Sequence, residues 1–332
     1  MKLKEKINKN IRGLIMFKKL KIIGLSLILS VGAYGCAKEE IKEDDSLKIC
    51  VVLDEGGAND QSFNQSAIEG LYRARDSYGV EVSYIESSGE AEYFSNIESA
   101  VDLGSDLVVA VGYKFTEEIE EAANTYPDQK FAIIDGSYEK TPENVTSILF
   151  DEEEAGYTVG LIASQMTETN KVAFLGGYDI PSVTGFRDGF IVGLKEGNPN
   201  IEVKSQFANS FTDSAKGKAM AQQLIKDNYD IIFSAGGGVN NGVWEACVEA
   251  GPHIGAIGVD MPSSQYSPAI ITSALKNVGT GLALTIKDLV DENFKGGTKT
   301  IYSLANNGVG YEVTDNLSDE VIKFVEDKLT SK

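Results

Sequence analysis

Beyond residue 46, the chain alternates short apolar runs with longer segments of helical periodicity. The run Lys48–Leu53 is almost continuously apolar, which is typical of a strand covered on both faces. In the segment 63–78, Ala67, Leu71 and Ala74 recur at helical spacing and form one apolar stripe. The two patterns alternate along the chain, which indicates strands joined by helices.

These criteria predict strands at Lys48–Leu53, Val80–Ile85, Leu107–Val111, Lys130–Ile134, Val145–Leu149, Lys171–Leu175, Ile201–Gln206, Ile231–Ser234, Ile254–Val259, Ile270–Thr272 and Thr300–Leu304. Helices are predicted at 63–78, 92–103, 115–126, 152–168, 183–196, 213–227, 240–250, 277–292 and 318–330. Strands that alternate with helices predict parallel sheets in a doubly wound α/β fold. Two such units fit the chain length, with a break near Asp151.

Polar residues and glycines recur where the predicted strands end. Asp54, Asp135 and Asp260 each follow an apolar strand, as do Gly112-Tyr113 and Gly236–Gly238. Ligands of open parallel sheets bind beyond the carboxyl ends of the strands. The pattern therefore favours a binding cleft between two lobes, although turn residues alone would produce part of it.

The first 35 residues differ in composition from the rest of the chain. They hold eight basic residues and one acid, Glu5, and end in an apolar run from Ile22 to Ala33. A basic head followed by a short apolar segment predicts a secretory signal peptide over residues 1–35. The segment before Met16 is long for such a signal, so Met16 is the expected translation start.

The signal ends in Ala33-Tyr34-Gly35-Cys36, which resembles the bacterial lipobox. The resemblance implies that Cys36 is lipidated and becomes the mature N-terminus. Residues 36–46 are acidic and lack apolar periodicity, and they are predicted to form a tether. We therefore expect a protein anchored to the outer side of the cell membrane by lipid alone.

Composition narrows the function classes further. Of 332 residues, 42% are hydrophobic and 24% are charged, which excludes a largely disordered chain. The 50 acidic residues outnumber the 30 basic ones, so nucleic acid is not an expected partner. A soluble monomer on its tether is expected. Cys50 and Cys247 lie in apolar runs and are most simply core thiols, although a disulfide between them stays open.

Motifs for catalysis are absent from the sequence. The chain has a single histidine, His253, and contains neither a Walker A motif nor a G-x-S-x-G nucleophile elbow. We therefore predict a protein that is not an enzyme and that holds neither a metal nor a cofactor. Any ATP hydrolysis would belong to a partner subunit.

The most specific segment of the chain is residues 52–67, which reads VLDEGGANDQSFNQSA. It resembles the opening signature of the basic membrane protein family, the substrate-binding lipoproteins of bacterial ABC importers whose characterised members bind purine nucleosides. Further similar motifs are Phe131–Gly136, Glu154–Tyr157 with Gly160, Gly185-Phe186 with Gly189-Phe190, Phe211–Asp213, Ala235–Gly238, Gly258–Asp260 and Thr272–Lys276.

The resemblance implies a type I periplasmic-binding fold, with two lobes joined by three crossover strands. On this basis residues 47–150 and about 277–304 would form the N-terminal lobe. Residues 151–276 and about 305–332 would form the C-terminal lobe.

The resemblance also implies roles for individual residues. Phe63 would stack on the base, unless it is a core residue of its own helix, and either Phe186 or Phe211 would be the second ring. Asp135 would read the base edge, and as a carboxylate it would accept hydrogen bonds from ring N–H groups.

Asp54 and Asp260 would accept from ribose hydroxyls, and Lys276 would donate to the ligand and balance nearby carboxylates. Ser62 and Asn64 could bond the ligand or cap the helix. The other candidates are Asn59, Gly236 and Gly237, of which the glycines either let the ligand approach the backbone or form a plain turn.

The expected function is therefore capture of a purine nucleoside (guanosine, inosine or adenosine) and its delivery to an ABC permease with its ATPase subunits. Two alternatives stay open. The protein could be a surface sensory or antigenic lipoprotein of the same fold, or its cargo could be a sugar or autoinducer.

Overall fold

The computed structural model describes residues 46–331. The predicted signal peptide, Cys36 and all but the last residue of the predicted tether lie outside the described residues. No helix within 46–331 is both long enough and apolar enough to span a bilayer.

Five strands come first in the chain: β1 (Lys48–Leu53), β2 (Glu81–Glu86), β3 (Leu107–Val111), β4 (Lys130–Ile134) and β5 (Val145–Phe150). They form one sheet with β11 (Thr298–Tyr302), in the order β11-β5-β4-β3-β1-β2. Every pairing in this sheet is parallel. We call this sheet and its helices the first lobe.

The next five strands are β6 (Lys171–Gly176), β7 (Glu202–Phe207), β8 (Ile231–Ala235), β9 (Gly255–Asp260) and β10 (Ile270–Lys276). They form the sheet of the second lobe with β12 (Val309–Tyr311), in the order β12-β10-β9-β8-β6-β7. Only β12 pairs antiparallel, against the end of β10. The predicted α/β architecture is confirmed, but the prediction missed β12, because three residues with a central glycine give no periodic signal.

The helices are α1 (Phe63–Tyr78), α2 (Tyr93–Asp102), α3 (Thr116–Thr125), α4 (Glu152–Met166), α5 (Pro181–Gly197), α6 (Ser214–Lys226), α7 (Val239–Ala250), α8 (Val278–Val290) and α9 (Asp319–Thr330). In the first lobe, α1 and α8 cover one face of the sheet, and α2 and α3 cover the other. In the second lobe, α4 and α5 cover one face, and α6 and α7 the other. Helix α9 packs on α4.

The chain crosses between the lobes three times: after β5, after β10, and between β11 and β12. The crossing segments are hydrogen-bonded to one another. The N–H of Asp151 donates to the carbonyl of Tyr302 at 2.8 Å, and the N–H of Asn277 donates to the carbonyl of Gly308 at 2.8 Å. The three crossing segments lie side by side, and connections of this kind can act as a hinge between the two lobes.

Helices α4 and α5 touch through their backbones. A Cβ atom built on Gly156 would lie 2.2 Å from the carbonyl oxygen of Phe186, and one built on Gly189 would lie 2.0 Å from that of Glu153. Such distances leave no room for a side chain. The glycines therefore let the two helices approach closely, and this crossing fixes where the first turns of α4 and α5 lie relative to each other.

Gly189→Ala should destabilise the protein by about 1–3 kcal/mol, because the new methyl group would press on the backbone of α4. Alanine is otherwise the better helix former by about 1 kcal/mol, so a loss of stability would identify the backbone contact. Urea unfolding measures the change. Gly310→Ala is the matched control, because a Cβ built on Gly310 meets nothing within 4 Å. A Gly189→Ala protein as stable as wild type would contradict the close crossing.

Candidate functional site

A cleft of about 650 Å³, including its open mouth, lies between the carboxyl ends of the strands of the two sheets. Every loop and helix start that lines it follows one of these strand ends. Its lining residues are Asp54, Gly56, Asp60, Phe63, Asn64, Gly112, Tyr113 and Asp135 from the first lobe, with Ile180, Ser182, Val183, Phe186, Phe211, Ala235, Gly236, Gly237, Val259, Asp260 and Lys276 from the second.

Three phenylalanine rings line the cleft. Phe63, the first residue of α1, and Phe211, in the loop after β7, are both half-buried. Phe186 is only 3% exposed and packs edge-on against Phe233 of the core, with ring centroids 6.0 Å apart. Phe186 thus belongs to the cleft floor, whereas Phe63 and Phe211 are the more exposed rings and come from opposite lobes.

Glycines hold the Phe211 ring in place. A Cβ built on Gly177 would lie 2.3 Å from that ring. On the other side, the N–H of Gly238 donates to the carbonyl of Phe211 at 2.8 Å, and Gly237 has φ +57°, which suits glycine. The glycine turn after β8 therefore supports the loop that carries Phe211, while Gly236 donates its N–H to Asn240.

The floor of the cleft holds a buried ion pair between the lobes. Lys276, the last residue of β10, is 2% exposed, and its Nζ lies 2.5 Å from Oδ2 of Asp135 and 2.8 Å from Oε1 of Glu152. Burial alone would lower the pKa of Lys276, but the two carboxylates raise it above its ordinary value. Lys276 is therefore a cation tied to both lobes, since Asp135 belongs to the first and Glu152 to the second.

Asp135 and Asp260 share an unusual backbone conformation. Both follow a strand and have positive φ, +64° and +67°, a region that non-glycine residues rarely adopt. Such conformations cluster at ligand sites, although this chain also has them at exposed positions such as Asn170 and Glu292. Asp135 gives one carboxylate oxygen to Lys276, and its other oxygen, Oδ1, is buried with no hydrogen-bond partner among residues 46–331.

Asp54 is held in place by its neighbours. Its Oδ1 accepts from Nδ2 of Asn64 at 2.6 Å and from the N–H of Gly56 at 3.0 Å. Burial raises the pKa of Asp54, and these two hydrogen bonds act in the opposite direction. The amide oxygen of Asn64 is buried and has no partner within the described chain, so this cleft residue offers a second free acceptor in the first lobe.

The first turn of α1 is capped by Asp60 and contacts the second lobe through Ser62. The Asp60 carboxylate accepts from the backbone N–H groups of Ser62, Asn64 and Gln65. The hydroxyl of Ser62 donates to Asp260 of the second lobe. Burial raises the pKa values of Asp60 and Asp260 to about 6 each.

Most sequence-predicted residues line the cleft, with two exceptions. Asn59 is exposed and does not reach the cleft, and Ser62 is buried behind it against Asp260. Sequence reasoning missed Glu152, because an acidic residue in the first turn of a helix is common. The strand-end pattern does include Tyr113, which follows β3, but sequence reasoning assigned it no individual role in the site.

Neither a metal site nor a disulfide is present in the part of the chain that the structure describes. No group of three or more potential metal ligands occurs there. Cys50 in β1 and Cys247 in α7 are buried free thiols on different lobes, so they do not pair. Burial raises the pKa of Cys247 to about 12, as expected of a core thiol.

Two α/β lobes that meet over a cleft of rings and free acceptors define a type I periplasmic-binding protein. The chain belongs to the Bmp family, described as ABC transporter substrate-binding proteins that are PnrA-like, which it matches over residues 47–332. This is a family of non-enzymatic receptors, so the protein is the solute-binding component of an ABC transporter and its partners include a permease.

Similar proteins agree with this assignment. The CD4+ T-cell-stimulating antigen of Listeria innocua is 33% identical, covering 94% of this chain and 96% of its own. The ABC transporter nucleoside-binding protein BmpA of Lactococcus lactis is 30% identical, covering 97% and 98%. A solved ABC transporter solute-binding protein from Aeropyrum pernix has a TM-score of 0.76 at 29% identity, covering 86% of each chain.

The floor ion pair predicts a pH dependence of stability. Burial, together with the nearby Asp135, raises the pKa of Glu152 to about 7, despite the attraction of Lys276. The folded protein therefore binds a proton that the unfolded chain releases near pH 4.5, so stability should fall as pH rises from about 4.5 to 7. Glu152→Gln should remove this part of the slope, at most about 1.4 kcal/mol per pH unit.

Denaturant unfolding of ligand-free protein at several pH values measures this slope. Glu153→Gln is the matched control, because Glu153 lies in the same helical turn but is exposed. Asp260 and Asp60 titrate in both variants, and their contribution cancels in the comparison. If Glu152→Gln kept the wild-type slope of stability against pH, the raised pKa assigned to Glu152 would be wrong.

Proposed function

We propose that the protein captures a purine nucleoside outside the cytoplasmic membrane and delivers it to its permease. The base would lie between Phe63 and Phe211, and the ribose near Asp54 and Asp260. In this proposal Cys36 carries the lipid anchor that keeps the receptor at the cell membrane.

The rings support a flat aromatic ligand. Phe63 and Phe211 come from different lobes, line the cleft and are only half-buried. Stacking of a base on an aromatic ring contributes about 1–3 kcal/mol and tolerates any base. Phe211 is a better second ring than Phe186, because Phe186 is buried against the core.

The hydrogen bonding of Asp135 is the observation that most directly supports the proposal. Lys276 occupies one of its oxygens, which leaves the buried Oδ1 to accept from a ligand. An unpaired buried carboxylate oxygen is costly, so a ligand N–H would satisfy it. Guanine and hypoxanthine present a ring N–H at N1, whereas adenine presents an acceptor there. Asp135 therefore favours guanosine and inosine over adenosine.

The polar groups on the ribose side support a neutral ligand with several hydroxyls. Asp54, Asp60 and Asp260 line the cleft, and the one cation among its lining residues, Lys276, is already paired with carboxylates. Hydroxyl groups donate well to carboxylates. The relative named as a nucleoside-binding protein is consistent with this choice of ligand.

Calorimetric titration with guanosine, inosine, adenosine, cytidine and ribose tests the proposal. Wild type should bind guanosine and inosine more tightly than adenosine, and cytidine and ribose weakly. Asp135→Asn should weaken guanosine binding about ten- to hundredfold, because a charge-assisted hydrogen bond is lost. It should also reduce the preference for guanosine over adenosine. Asp128→Asn, at an exposed position, is the control. Ribose binding without nucleoside binding would overturn the purine assignment.

Removing the first ring should weaken binding of every nucleoside alike. Phe63→Ala should lower guanosine affinity about ten- to hundredfold, whereas Phe63→Tyr, which keeps a stacking face, should bind close to wild type. Thermal melting confirms that both variants fold. A folded Phe63→Ala protein with wild-type affinity would show that the base does not stack there.

A further inference from the structure

The mouth of the cleft holds a contact between the lobes that the proposed ligand site does not use. Nζ of Lys114, in the short 3-10 turn after β3, lies 5.5 Å from the centre of the Tyr178 ring, in the loop after β6. A lysine ammonium within about 6 Å of a ring face is attracted to it. Because the two residues belong to different lobes, this attraction exists only when the lobes are together.

Lys114 is well prepared for such a contact. Its side chain is 11% exposed, and its Nζ lies 2.5 Å from Glu55 and 3.2 Å from Glu90, both in the first lobe. Burial would lower the pKa of Lys114, but these two carboxylates raise it above its ordinary value. The ammonium is therefore charged, fixed in place and partly desolvated, and a cation–π contact gains strength from desolvation.

Tyr178 connects this contact to the ligand site. Its ring packs edge-on against Phe211, with centroids 5.0 Å apart and an interplanar angle of 66°. Phe211 lies in a loop, and the ring rests on Gly177 on one side. Tyr178 is thus the aromatic neighbour that limits how Phe211 can turn, while it does not itself line the cleft.

From this geometry we propose that Tyr178 is a positioning residue for the Phe211 ring and that Lys114 holds it from the opposite lobe. Together they form a mouth latch, defined here as the Lys114, Tyr178 and Phe211 side chains. The Lys114–Tyr178 contact of the latch forms only when the lobes close over a ligand, so it governs how long the ligand stays rather than how fast it arrives. This inference rests on the proposed stacking role of Phe211.

Stopped-flow kinetics of ligand exchange test the latch. Tyr178→Leu and Lys114→Met should each speed dissociation about tenfold and leave the association rate unchanged. The double variant should be little faster than Tyr178→Leu alone, because Tyr178→Leu already removes the ring that Lys114 contacts. Tyr178→Phe keeps the ring and should restore slow dissociation, and Lys114→Arg should do the same.

Tyr72→Leu is the matched control. Arg75 lies 4.9 Å from the centre of the Tyr72 ring, so this pair is also a cation–π contact, but both residues lie on α1 within one lobe. Removal of the Tyr72 ring should leave the association and dissociation rates of the ligand unchanged. Additive effects in the double variant, a parallel fall in the association rate, or a Tyr178→Phe protein as fast as Tyr178→Leu would each overturn the latch.

The kinetics are measured with whichever of guanosine, inosine, adenosine, cytidine and ribose wild type binds most tightly. If the purine assignment is wrong, the ligand that wild type binds most tightly will not be a purine nucleoside. This result needs wild type alone. Failure of the latch appears as equal dissociation rates across the variants with that same ligand. The two results are therefore distinguishable.

Discussion

The buried ammonium of Lys276 is the interaction on which the arrangement of the two lobes depends. A charge that is 2% exposed must be paired, and its partners come from different lobes: Asp135 from the first and Glu152 from the second. Removing one partner of a buried pair costs about 3–5 kcal/mol. The lobes can therefore bury this cation only in a closed arrangement, and opening the hinge separates Lys276 from Asp135 and admits water to it.

The rest of the fold brings these groups together. The carboxyl ends of both sheets face the cleft, so residues that follow β1, β3, β4, β6 and β8 reach it. The close α4·α5 crossing sets Glu152 and Phe186 beside Lys276. In the first lobe a similar contact joins α1 and α8, where a Cβ built on Gly70 would lie 2.3 Å from Gly279. Closely packed helix pairs thus position the residues of the cleft floor, whereas loops position the residues at its mouth.

The sequence predicted the strands and helices well, because strands buried on both faces and one-sided helices have distinct periods. It located Asp54, Asp135 and Asp260 through their place after strands. It could not show that Glu152 pairs with Lys276 alongside Asp135, since that contact joins residues far apart in the chain. Nor could it choose between Phe186 and Phe211, because burial against Phe233 is a property of packing and not of spacing.

Floor and mouth would have different tasks in the proposed receptor. Asp135 would discriminate between bases, because its one free oxygen can accept a hydrogen bond and cannot donate one. The mouth latch adds no hydrogen bond to the ligand and therefore cannot discriminate. Both nevertheless depend on contacts between lobes, as does the Ser62–Asp260 hydrogen bond. A permease that draws the lobes apart breaks all of them in one movement, so a ligand held firmly in the closed receptor can still be released quickly on docking.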